Sequence, residues 1–153
     1  MATEYTLSSE AEVDTGELQD FMVAAIGGDK GPDGTVFRDG MYVTAYRVPD
    51  GEGNPAMQLF GFQHRVTATF RLSNLSNEAT KNHNAALMVG AVLAFFDRYA
   101  GRGVLLFNGE VVIIERLTDE IIFDEEWDDW FENDEVTPLL RGFAVRPLAQ
   151  RLL

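Results

Sequence analysis

Val104-Leu105-Leu106-Phe107-Asn108-Gly109-Glu110-Val111-Val112-Ile113-Ile114 is the run on which the fold turns. Asn-Gly supplies the positive φ angles of a tight hairpin turn, and the apolar residues on either side supply the strands. The spacing predicts an antiparallel hairpin with strands at 104–107 and 110–116. Val111, Val112, Ile113 and Ile114 are apolar at successive positions, so both faces of the second strand should be covered, at least locally. Asp39-Gly40, between apolar runs at 36–38 and 41–48, repeats the hairpin signal. Residues 65–72 alternate, with Val66, Ala68, Phe70 and Leu72 on one side and Arg65, Thr67, Thr69 and Arg71 on the other. An antiparallel sheet with one wet face produces that pattern. Residues 3–8 alternate in the same way, with Tyr5 and Leu7 on the apolar side, and Ile121-Ile122-Phe123 reads as one more short strand.

Two segments carry helical periodicity. Leu18, Phe21, Met22, Ala25 and Ile26 recur on one helical face, preceded by Asp14 and Glu17 at capping-box spacing and followed by Gly27-Gly28. A longer helix is predicted from an N-cap at Ser76 to about Tyr99, polar in its first half and apolar all round in its second. Close packing against the sheet is the expected reason for Gly90 in its interior. Hairpins dominate, so the predicted architecture is an α+β domain over residues 1–153: a mainly antiparallel sheet of about six strands with two helices packed on one face. The glycine-rich loop at 27–34 lacks the ligand spacing of a calcium loop and reads as a flexible turn, and the tail at 139–153 carries no clear pattern.

The composition narrows the function. Cysteine is absent, which excludes thiol catalysis and disulfides. The two histidines, His64 and His83, have no nucleophile at a fitting spacing, and no phosphate-binding or dinucleotide fingerprint occurs. The N-terminus lacks the basic and apolar regions of a signal peptide, and the longest apolar run falls short of a bilayer span. A cytoplasmic location is the expectation, with no membrane partner. The net charge is −13 and the 12 basic residues are scattered, which argues against nucleic acid as a ligand.

The acid is concentrated. Ten of the 25 acidic residues lie in residues 119–135, with no Lys or Arg among them, and both tryptophans lie there too. Asp124, Glu125, Glu126, Trp127, Asp128, Asp129, Trp130, Phe131 and Glu132 form its centre. A solvated acidic run explains the carboxylates but not three large aromatics, which lose free energy when left in water. Two readings follow. Aromatic anchors ringed by one sign of charge suit docking to a basic protein; alternatively, the segment is a structured acidic turn whose aromatics cap the core. Both hold in part if one tryptophan anchors the segment while another stays exposed. If the segment is helical, Trp127 shares a face with Trp130 or Phe131.

Several of these runs together resemble the third-type Sit immunity family of bacterial swarming-inhibition toxin systems. They are Ala2-Thr3-Glu4-Tyr5-Thr6-Leu7, Phe70-Arg71-Leu72, the run from Val104 through Asn108-Gly109-Glu110 to Val112, and the acidic tryptophan segment, together spanning residues 2–131. The resemblance implies a small cytoplasmic protein that neutralises a cognate toxin by binding it, with no catalysis and no cofactor. A basic toxin would complement the acidic segment. Two other readings compete. One is a metal-dependent or carboxylate enzyme built on the acidic stretch; the other is an acidic regulator that mimics nucleic acid.

Overall fold

The computed structural model describes residues 2–152. Nine strands form one sheet in the order β2-β3-β4-β5-β1-β6-β7-β8-β9. In chain order these are β1 (Ala2–Ser9), β2 (Asp29–Lys30), β3 (Val36–Arg38), β4 (Met41–Arg47), β5 (Val66–Ser73), β6 (Gly103–Phe107), β7 (Val111–Arg116), β8 (Ile122–Asp124) and β9 (Ala144–Arg146). The three α-helices are α1 (Thr15–Ile26), α2 (Glu78–Arg98) and the single turn α3 (Asp129–Glu132), and short 3-10 helices lie at Pro55–Phe60 and Thr137–Leu140. The α+β class stands. The sheet is larger than the six or so strands expected, and mixed, because β8 and β9 pair in parallel. The extra strands are β2, which takes up part of the glycine-rich loop, and β9, from the unpatterned tail. Both are too short, at two and three residues, to carry a readable period.

Both hairpins form. Asn108 and Gly109 take φ of 51° and 74°, and Glu110 N–H closes the turn on Phe107 C=O at 3.0 Å. At Asp39-Gly40 the glycine alone takes a positive angle, 80°, and Arg38 pairs with Met41 directly across the turn. β1 lies in the middle of the sheet, antiparallel to β5 and to β6.

The sheet has one helix-covered face. Tyr5, Leu7, Val43, Phe70 and Leu105 point from the strands into a core with Met22 and Ile26 of α1 and Phe95 and Val92 of α2. α3 lies on this side as well, since Trp130 belongs to the same core. The opposite face is covered over β6 and β7 and at the adjoining ends of β1 and β5, where Ser8 and Thr67 are buried. Over β6 and β7, Val104, Leu106 and Val112 pack against Met57, Phe60 and Phe62, together with Leu148 and Leu152 of the tail. This is why β7 is apolar on both sides. Over β3 and β4 the same face stays open, with Phe37, Tyr42 and Tyr46 exposed.

The helix boundaries differ in detail from the sequence reading. Asp14 is the N-cap of α1, yet its side chain makes no capping hydrogen bond; Glu17 instead accepts from the Tyr99 hydroxyl at 2.8 Å. The cap of α2 is Asn77 rather than Ser76, its side chain accepting from Thr80 N–H at 2.8 Å. Gly90 does not mark a tight contact, because a Cβ built there meets nothing within 4 Å. Gly90→Ala is therefore expected to raise the unfolding free energy by about 1 kcal/mol, through helix propensity and a less flexible unfolded chain. Urea denaturation of the two proteins side by side measures this, and an unchanged or lower midpoint contradicts it.

Candidate functional site

The centre of the acidic segment begins at the end of β8, where Asp124 is 4% exposed. Its Oδ1 accepts from Glu126 N–H and from Leu148 N–H, each at 3.3 Å. Asp124 thus ties the start of the segment to the tail and is not part of an outward surface. The other nine carboxylates of residues 119–135 are all exposed.

The three aromatics divide. Trp130 is 2% exposed and meets Phe123 edge-on, with ring centroids 5.3 Å apart. Its indole nitrogen is sealed from solvent and has no hydrogen-bond partner. Trp127 is half-buried against Phe107 at 4.8 Å. Phe131 is 53% exposed. The helical turn starts only at Asp129, so Trp127 lies outside it and shares no helical face with Trp130 or Phe131. Of the three proposed anchors, Phe131 points outward, Trp127 is half-buried, and Trp130 belongs to the core. Hydrophobic gain decides this: burying the indole of Trp130 against Phe123 pins a turn that carries two acids, Asp129 and Glu132, to the sheet.

Side-chain hydrogen bonds complete the attachment. Asn133, 6% exposed, donates from Nδ2 to Asn82 C=O of α2 at 3.0 Å. Thr137 Oγ1 donates to Trp130 C=O at 2.7 Å. His83 Nδ1 lies 2.9 Å from Glu135 Oε1, joining α2 to the end of the segment. Asn133 and His83 act on groups 51 and 52 residues away in the chain, which no local pattern reveals. His64, the other histidine, accepts at Nδ1 from Asn54 N–H at 3.0 Å, and burial lowers its pKa.

Between the first turns of α2 and α3 lies a cleft of about 270 Å³. Tyr5, Trp127, Asp129, Glu132, Glu78 and Lys81 line it. Burial, and secondarily repulsion from Asp128, raises the Asp129 carboxyl above its ordinary pKa. Among the described residues no three His, Asp or Glu side chains converge closely enough to hold a metal ion. No helix among them is long and apolar enough to cross a membrane.

A sheet backed by helices on one side and bearing a pinned acidic segment with an outward phenylalanine defines a small α+β protein. The chain belongs to the SitI3-like family, which it matches over residues 3–134. This is the third-type Sit immunity family that its sequence runs resemble. The match starts in β1 and ends just beyond α3, so it includes the acidic centre and stops short of β9. Comparison with curated proteins and with solved structures returned no match.

Proposed function

We propose that this protein is an immunity protein that binds and neutralises a cognate, basic bacterial toxin in the cytoplasm through its acidic segment, without catalysis or a cofactor. The observation that carries this reading is the layout of residues 125–132. Glu125, Glu126, Asp128, Asp129 and Glu132 are exposed around an outward Phe131, and the segment is fixed underneath by Trp130. Clustered negative charge steers a cationic partner and speeds its arrival. An exposed aromatic in the middle of that charge slows its departure once it is buried in a pocket of the partner. Family membership supports the immunity role. The docking set suggested by the sequence contracts accordingly: Asp124 and Trp130 support the surface from below, and Glu125, Glu126, Trp127, Asp128, Asp129, Phe131 and Glu132 face the partner.

The test is capture of a candidate cognate toxin, sought first among the products of genes neighbouring this one. Phe131→Ala is expected to weaken binding by about 2 kcal/mol, roughly thirtyfold. Far-UV circular dichroism should stay unchanged, because an exposed ring contributes little to the fold. Association of the wild-type protein should slow steeply with added salt. Equal affinity for wild type and Phe131→Ala, with association indifferent to salt, rejects this surface.

A further inference from the structure

The docking surface contains a socket. The cleft between α2 and α3 is floored by Tyr5, which is 7% exposed and whose ring packs on Phe107 at 5.3 Å. Among the described residues its hydroxyl has no hydrogen-bond partner, and it is not among the polar atoms sealed from solvent. A buried tyrosine whose hydroxyl is neither paired nor sealed opens onto the space it lines. That hydroxyl can donate or accept, and in a buried position it ordinarily finds a partner.

The walls indicate what fits. Asp129, Glu132 and Glu78 place three carboxylates around the cleft against one cation, Lys81, while Trp127 and Tyr5 add aromatic surface. No ion pair forms between Lys81 and these acids, and Asp129 and Glu132 likewise have no basic partner among the described residues. We infer that the cleft receives a guanidinium side chain, an arginine of the bound toxin. A planar cation with several donors satisfies two carboxylates and the tyrosine oxygen together and lies against an indole face. The volume, about 270 Å³, admits one such side chain. The raised pKa of Asp129 accords with a carboxylate that is partly desolvated and lacks a counter-ion. This inference rests on the toxin-binding reading and specifies which toxin group enters the acidic surface.

The probe is a short peptide, acetyl-Gly-Arg-Gly-amide, titrated into the full-length protein while the two indole N–H resonances are followed by NMR, with Trp127→Phe assigning them. The expected result is a saturable shift of the Trp127 resonance. The matching citrulline peptide, neutral and nearly the same shape, should leave it in place. Asp129→Asn and Tyr5→Phe should each weaken the arginine peptide at least fivefold. No saturable shift, an equal response to citrulline, or unchanged affinity in both variants overturns the socket. None of these readings needs the toxin. If the socket fails while Phe131→Ala still impairs toxin capture, the docking surface stands without it; if the toxin is not captured at all, the docking reading fails by itself.

Discussion

Trp130→Ala is expected to destabilise the fold by about 4 kcal/mol, because it empties a large side-chain volume from the core. Trp130 is 2% exposed and shares the main core with Phe123 and Val136. Its backbone carbonyl also receives the Thr137 hydroxyl. Losing the ring removes the apolar pin of the acidic segment, so the carboxylates that it holds on the surface would loosen with it. Trp130→Phe should cost much less than the volume change alone implies. The indole N–H is sealed and unpaired, and a buried donor without a partner costs about 1–3 kcal/mol. Phenylalanine removes that cost while keeping most of the apolar ring. Urea unfolding followed by Trp127 fluorescence gives both values. A loss below about 1.5 kcal/mol for Trp130→Ala contradicts the assignment of this residue to the core.

Arg116→Met is expected to lower stability by about 3 kcal/mol, through carbonyl groups left without a donor. α2 ends at Arg98, with Tyr99 already extended, so its last carbonyls need partners from elsewhere. Arg116 on β7 supplies them. Nη1 donates to Phe96 C=O, Nη2 to Tyr99 C=O and to Gly101 C=O at 2.7 Å each, and Nε to Gly101 C=O at 3.1 Å. The guanidinium also lies over the Phe96 ring, 4.8 Å from its centroid. A positive charge at a helix C-terminus is favoured by the helix dipole, and the planar fork reaches several oxygens at once. Arg116→Lys keeps the charge but not the fork, so it should recover less than half of the loss. Equilibrium denaturation of the three proteins checks this, and a methionine variant within 1 kcal/mol of wild type would remove Arg116 from this role.

These residues also show where a sequence can be read and where it cannot. The Asn108-Gly109 turn, the alternation of residues 65–72 and the double-sided β7 were all legible, because each depends on chemistry within a few residues. Gly90 misled, since a helix glycine has the same letter whether its missing side chain makes room for a neighbour or faces open space. The acidic aromatic segment was legible as a place, but which of its side chains face solvent was not. Asp124 and Trp130 carry the same charge and ring as their neighbours, yet both turn inward. Tyr5 showed only as an apolar-side strand residue, and nothing local announced that its hydroxyl would open into a cleft made by elements more than 70 residues away in the chain.

The sequence by itself determined the α+β class, the antiparallel hairpins, the two main helices and the location of the acidic face. Each rests on periodicity or turn chemistry, which act over one or two turns of chain. The tertiary structure alone decided the rest. It set which of three aromatics is the pin, and it paired β8 in parallel with a strand from the unpatterned tail. It also let Gln150 take the place of a neighbouring strand, bonding both Val112 N–H and Val112 C=O from 38 residues away. Those outcomes depend on which surfaces meet once the chain has folded, and the free energy of meeting belongs to the pair of surfaces rather than to either stretch of sequence.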